Sequence, residues 1–418
     1  MDTQHFDLHI IGGGIIGLAT AVTLQARGVN VALLDASEVG QGASFGNAGH
    51  IATEQVFPIA DASILRHIPA MLLNPTGALR LDWRYLPRLM PWAFQLLLNM
   101  RPEPFDRIHQ ALLQLNQHSL QSWQNFAKEW QLTEWVQVNG SLLTVERPAS
   151  IELLIAHGNR LNDIGVINEL LNQEALQERE PELQDNQLQA LFFPDTGHVT
   201  NLKAVINQLS NTFRQLGGHV IECCHVFNAS VNDTGIHLST SQGDMTVNKV
   251  MLSAGAHSKP LAKQLTGVNV PLDTERGYHL MLPHESTRLQ IPVSSMDRRF
   301  IMTPMQEGLR LAGTVEYAGL DAPANMQRAQ MLLPLAQPML KATLDATNSV
   351  PWMGFRPSTA DSLPVIDNIG RVFLNFGHQH LGLTQSVVSA QMIAEYYFNE
   401  PHTIDPTPYR LNRFKKAR

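Results

Sequence analysis

Cysteine is nearly absent from the chain. Its 418 residues include two, Cys223 and Cys224, side by side, where a disulfide would be strained. That excludes a disulfide framework and a cysteine-based metal centre, and it fits a reducing compartment. Charge is scarce as well. Charged residues are 16% of the chain and the formal net charge is −7, which argues against a nucleic-acid partner. No apolar run reaches the roughly 18 residues of a membrane span, and no basic segment precedes the first apolar run as in a signal peptide. No set of histidines sits on one predictable element with acidic support, so no metal is expected. There is no repeat of fixed period and no low-complexity segment.

What is present is an ordinary globular composition, 44% apolar, long enough for two domains. Its most informative stretch is His5 to Glu38, HFDLHIIGGGIIGLATAVTLQARGVNVALLDASE. An apolar run from Phe6 to Ile11 enters three glycines, a helical pattern spans Ile15 to Ala26, and a second apolar run, Val31 to Leu34, ends at Asp35. Strand, glycine turn, helix, strand and acid together predict a βαβ unit for a dinucleotide. Gly12 permits the tight turn, Gly14 lets backbone approach a pyrophosphate, and Gly17 lets helix and strand pack closely. The pyrophosphate then meets free N–H groups at the helix N-terminus. The Asp35 carboxylate accepts hydrogen bonds from ribose hydroxyls and repels a ribose phosphate, which favours FAD or NAD over NADP.

Downstream, the bulk-poor loop EVGQGASFGNAGHIATEQVFP follows the βαβ unit, and Ser44, Asn47, Gly49 and His50 are expected to face the ligand. Residues 62–131 read as mostly helical. Within them Leu86 to Met100 is densely apolar, with Arg84, Arg88 and Arg101 near its ends; it reads as a buried or partner-facing helix, with a membrane surface as the alternative. Gln137 to Val145 reads as a hairpin around Asn139-Gly140, residues 149–183 as helical, and Asn201 to Leu216 as a helix stopped by Gly217-Gly218. A strand at His219 to Cys224 leads into a β-meander reaching Val247. The strand of KVMLSAGAHS stops at small residues, Ala254-Gly255-Ala256, which again admit a ligand. Residues 266–350 alternate as an antiparallel sheet. The end of the chain reads as an Arg-Pro loop, a strand from Arg371 to Phe376, and a helix from Thr384 or Gln385 to Phe398.

GGGIIG with Asp35, SFGNAGHI, SAGAHS, MGFRPSTADSLPVI and NFGHQHLGLTQS occur in this order across nearly the whole chain. With them the chain resembles the D-amino-acid oxidase superfamily of flavoproteins, and within it the bacterial D-amino-acid dehydrogenases. The resemblance implies an α/β fold. A discontinuous Rossmann-like FAD-binding domain (1–85, 186–265, 351–418) would carry a mixed, mainly antiparallel α+β substrate domain (86–185, 266–350). It implies FAD rather than a nicotinamide, held by Gly12, Gly14, Ile15, Ile16, Gly17, Asp35, Ala36, Ser44, Asn47, Gly49, His50, Val226, Ala254, Gly255, Gly377, Gly382, Leu383 and Thr384.

The resemblance also implies a reaction. An amino acid presents its Cα–H to the flavin, and Arg356 in Gly-Phe-Arg-Pro binds its carboxylate as a planar fork. Tyr278 and His378 are the other expected catalytic residues. Tyr278 and His50 are expected to touch substrate, with Arg276, His279, Glu54, Gln55 and His380 as further candidates. The expected activity is oxidative deamination of a D-amino acid, of the D-proline or D-hydroxyproline type. Electrons would pass to a quinone or other carrier from a cytoplasmic protein held peripherally at the inner membrane. The rivals are a glycine or sarcosine oxidase using O₂ and a non-catalytic flavin-binding subunit.

Overall fold

Strands β1 (Leu8–Ile11) and β2 (Val31–Leu34) are apolar at every position because both of their faces are covered. They pair in parallel, with helix α1 (Ile15–Ala26) as the crossover. This computed structural model describes residues 5–59, 77 and 79–415. The sheet built on β1 has six strands in the order His219–Ile221, β2, β1, Val250–Leu252, Val372–Phe376, Val365–Ile369. Its first five strands are parallel and the last is antiparallel. The chain leaves β1 first to one side and later to the other, so a crevice opens at the carboxyl ends of the strands, where open α/β sheets bind ligands. Helix Gly382–Phe398 packs beside α1, and Trp123 of helix Pro102–Glu129 closes that layer by donating Nε1–H to the Leu383 carbonyl (2.8 Å).

A second, nine-stranded sheet is mainly antiparallel. Its main path runs Val350–Thr359, Leu272–Leu282, Gly308–Tyr317, Phe300–Met305, Val293–Ser295, Ser141–Val145, Gln189–Phe193, Glu169–Asn172, with Leu79–Leu81 paired to Gly308–Tyr317. A three-stranded meander (Val226–Val231, Ile236–Thr240, Gly243–Val247) and a small sheet of His50–Ile51, Gly197–Val199 and Val136–Gln137 complete the fold.

The local readings of α1, β2, the meander and the helix after Asn201 match the structure; the Asn201 side chain caps Leu202–Gln215 by accepting the Ala204 N–H (2.9 Å). Four readings change. Asn139-Gly140 does not close a hairpin: Val136–Gln137 and Ser141–Val145 enter different sheets, and Gly140, at φ 88°, leaves room for the Phe192 ring. The helical span 149–183 is interrupted by the strand Glu169–Asn172. The expected Arg-Pro loop is an edge strand, Val350–Thr359, where Pro357 is tolerated because an edge needs fewer ladder donors. Leu79–Leu81, Gln189–Phe193 and Val350–Thr359 all lie in the large sheet, so the segments 1–85, 186–265 and 351–418 each carry a piece of it. Part of the expected helical region, residues 62–76, lies outside the described residues.

Candidate active site

The crevice continues as one elongated cavity of about 540 Å³ running from the glycine turn to the large sheet. Gly12 has φ 112°, and a Cβ there would lie 2.4 Å from the Ser253 carbonyl oxygen; one at Gly17 would lie 1.9 Å from the Gly12 oxygen. The two glycines are therefore demanded by backbone packing before any ligand arrives. Gly14 precedes α1 without a side-chain cap and without an acid in the first turn. The Ile15 N–H is taken by Ser44 Oγ (2.9 Å). Asp35 also braces the turn: Oδ2 accepts the Gly13 N–H (2.7 Å) and Oδ1 accepts the Ser37 N–H (2.9 Å), while the residue still lines the cavity. The second helix N-terminus, at Gly382, again has no side-chain cap and no acid in its first turn.

Of the residues expected to hold the cofactor, Gly12, Gly14, Ile15, Ile16, Asp35, Ala36, Ser44, Asn47, Val226, Ala254, Gly255, Gly377, Gly382 and Leu383 line the cavity. Gly17, Gly49, His50 and Thr384 stand behind its wall. Gly49 is needed because its φ is +77° and a Cβ would lie 2.9 Å from the Val199 carbonyl oxygen, and Thr384 Oγ1 accepts the Ala52 N–H (2.9 Å). His50 pairs across the small sheet with His198, its Nε2 is 3.8 Å from Glu54 Oε2, and burial lowers its pKa to about 4, so it is neutral.

At the other end, strand pairing assembles the arginine. Arg356 lies opposite Glu275, and Gly354 opposite Gly277. The Arg356 guanidinium lies across Gly277, where a Cβ would be 2.5 Å from Cζ. A bulge, with Thr314 at φ 60°, turns the Thr314 carbonyl toward Arg356 Nη1 (3.5 Å). Burial lowers the Arg356 pKa, and Glu275 pulls it back. Glu275 is itself raised by burial and accepts the Tyr317 hydroxyl (3.2 Å). The arginine strand is latched to the glycine loop of the first domain: Ser358 bridges to His378, and Gln379 N–H donates to the Pro357 carbonyl (3.0 Å). The register of one edge strand thus sets where Arg356 stands relative to both helix N-termini.

Trp352 lies four residues before Arg356, on the same face of the strand. A Cβ at Gly46 or Gly354 would come within 2.2 or 2.0 Å of its ring, and it stacks on His279 at 5.0 Å. His279 Nδ1 lies 3.0 Å from the Gly46 carbonyl, and buried Arg310 donates Nη1–H to the Asn47 carbonyl (2.5 Å). These contacts pin the loop 42–49 to the substrate sheet. The Trp-x-Gly-x-Arg spacing of Val350–Thr359 was the available signal for Trp352; Gly277, Arg310 and Glu275 left none.

The tyrosine expected to touch substrate lines the cavity, and its hydroxyl is held within the protein. Tyr278 donates its hydroxyl to Glu316 Oε2 (2.5 Å) and accepts the Asn325 N–H (3.2 Å). Arg276 sits in the same buried network, 3.6 Å from Glu316. His378 is 3% exposed, its Nε2 has no protein partner, and burial lowers its pKa to about 3. His380 faces the cavity with its side chain open to it, and the nearby Arg356 and His50 help to hold its pKa down. Glu54 and Gln55 lie away from the cavity lining.

Residues 7–396 match the family described as FAD dependent oxidoreductases, DAO. The chain is 30% identical over 423 residues to a D-amino-acid oxidase of Bradyrhizobium diazoefficiens, covering 97% of this chain and 98% of that one. It is 29% identical to a D-amino acid dehydrogenase 2 of Pseudomonas aeruginosa, covering 95% and 96%. Among solved structures it is similar to a glycine oxidase of Geobacillus kaustophilus, with a TM-score of 0.78, 20% identity, and 98% and 99% of the two chains covered. The L-proline dehydrogenase from P. horikoshii gives a TM-score of 0.73 at 16% identity, covering 99% and 98%. The residues present suit FAD. The cavity is long, two helix N-termini without an acid in their first turn face it, an acid stands beside the glycine turn, and the buried His378 Nε2 and Asn375 Oδ1 on its wall lack protein partners.

Proposed function

Because the chain belongs to the FAD dependent oxidoreductases, whose cofactor it shares, we propose that it oxidises the Cα–N bond of a D-amino acid and acts as a dehydrogenase. The observation that carries this reading is Arg356 laid across Gly277 inside the cavity, at the end remote from Asp35. A half-buried guanidinium with one long bond to a carbonyl has donors to spare for a planar carboxylate. The D configuration is supported by the names of the relatives, a D-amino-acid oxidase and a D-amino acid dehydrogenase.

Gly12, Gly14, Ser44 and Asp35 would hold the adenine-dinucleotide half of FAD, and Gly377, His378 and Gly382 its ring. Bound FAD supplies the two-electron acceptor for the chemistry. The chain's own residues orient and desolvate the substrate. Arg356 fixes the carboxylate, Trp352 and Phe355 wall the cavity, and burial removes the water that would keep the substrate amine charged. His380, on the cavity wall and held toward its neutral form beside Arg356, is placed to accept a hydrogen bond from that amine. A cyclic amino acid such as D-proline or D-hydroxyproline suits this enclosed end, and a quinone or other carrier takes the electrons onward.

The experiment is anaerobic: a panel of D- and L-amino acids is mixed with the FAD-loaded protein and flavin bleaching is followed. D-amino acids should bleach it and their enantiomers should not. Bleaching by none would leave a flavin-binding subunit without turnover. The 30% identical relative is named an oxidase, so the competing reading is O₂ use. Rapid recolouring with peroxide on admitting air would establish that reading instead.

A further inference from the structure

The helix Leu86–Asn99 carries a feature that the chemistry does not use. Leu89 and Trp92 bury one side, with Trp92 Nε1 donating to the Ser358 carbonyl (2.9 Å). The other side is apolar and open. Met90, Phe94, Leu97 and Leu98 are 52, 60, 49 and 38% exposed, and Trp83 just before the helix is 62% exposed. Positions 90, 94, 97 and 98 fall on one helical face. The remaining exposed residues from Trp83 to Arg101 include Arg84, Arg88 and Arg101 and no carboxylate. In a chain with net charge −7, a stretch with this sign is a local reversal.

Scattered exposed leucines need no explanation, but a contiguous apolar face does. The arginines decide its occupant. An apolar stripe bordered by guanidinium groups matches the acyl boundary and phosphate layer of an anionic bilayer, where each such group contributes about 1 kcal/mol, roughly fivefold. We propose that Leu86–Asn99 lies in the plane of an anionic lipid surface, with Phe94 and its neighbours below the headgroups and Arg84, Arg88 and Arg101 at the phosphates.

The helix is coupled to the cavity. Tyr85, at its start, donates its hydroxyl to Asp273 Oδ1 (2.9 Å) and packs on Gly319, whose neighbour Leu320 lines the cavity. Lipid contact would therefore hold this wall of the site beside the bilayer, where a lipid-soluble acceptor diffuses. That consequence rests on the dehydrogenase reading; the lipid contact itself does not, and vesicle binding reads it apart from turnover.

The test is co-sedimentation of the FAD-loaded protein with vesicles of phosphatidylethanolamine plus phosphatidylglycerol, and with vesicles of phosphatidylcholine alone. The anionic vesicles should bind it about tenfold or more better, and added salt should weaken the binding. Arg84→Gln with Arg88→Gln should weaken it by about 25-fold. Phe94→Glu with Leu98→Glu should abolish it while amino-acid-driven dye reduction stays unchanged. No sedimentation of the wild type would overturn the proposal, as would sedimentation of both variants to the same extent as the wild type. So would a wild-type dimer that Phe94→Glu with Leu98→Glu dissociates, since a second copy would then be the occupant.

Discussion

The two ends of the cavity are built on different principles. At the glycine turn, the residues that matter lie within Gly12 to Asp35, and short-range packing holds them: Gly17 against Gly12, and Gly13 on Asp35. At the arginine end nothing is local. Arg356, Gly277 and Thr314 come from three strands of the large sheet, Gly46 comes from the first domain's loop, and Gln379 latches the edge strand to the opposite domain. A local site survives changes elsewhere in the chain. A site made of register is lost when one strand slips, because a one-residue slip turns every side chain to the other face.

This contrast can be broken experimentally, and the largest effect is expected at Arg356. Arg356→Ala should retain FAD absorbance yet lower kcat/KM by about 10²–10³-fold, because a buried carboxylate loses its charged partner. Loss of FAD in that variant would show the two ends to be one unit. Gly17→Ala is the converse probe. Its Cβ would lie 1.9 Å from the Gly12 oxygen, so FAD binding and Tm should both fall, with about 1–3 kcal/mol of stability lost. Gly277→Ala pushes only on the guanidinium, 2.5 Å from Cζ; steady-state kinetics should show KM raised by roughly tenfold with FAD retained.

Acid sharpens the contrast in another way. Burial lowers His50 and His198 to about pKa 4 and His279 to about 3, against 6.5 for a free side chain. The folded protein keeps these groups neutral while the unfolded chain takes up protons below pH 6.5. Stability is therefore full above that pH and falls as pH drops from 6.5 toward 4. Thermal melts across this range should show the fall, and His279→Gln should flatten it. The smallest effect is expected from Tyr278→Phe. The hydroxyl already serves Glu316 and Asn325, so KM should change less than about threefold while Tm drops by the cost of a hydrogen bond to a buried acid. A large KM change would return Tyr278 to the substrate.

Much of the fold could be read from residues near one another in the chain. Three glycines between apolar runs, an acid at the second strand's end and a helix beginning at Asn201 each specify local backbone, and each stands where expected. The errors came from long-range pairing. Gly140 looked like a hairpin turn and instead sends two strands to different sheets. Gly-Phe-Arg-Pro looked like a loop because proline and glycine break local patterns, whereas an edge strand accommodates both. Tyr278 lines the cavity, with its hydroxyl held by Glu316, whereas His50 stands behind the wall beside Glu54. Chemical type and chain position do not encode the direction of a side chain in a sheet without the register.

The sequence by itself determined the glycine turn, the acid after it, the family and Arg356 as the candidate cation in Gly-Phe-Arg-Pro. Those follow from steric and electrostatic demands within a few residues of each position. Only the tertiary structure decided that Arg356 lies across Gly277, that Trp352 fills the space left by Gly46 and Gly354, and that the apolar side of Leu86–Asn99 faces outward. Each of these depends on which distant strand or domain arrives opposite. That is settled by burial of the whole chain, since the same local residues serve equally well facing in or out.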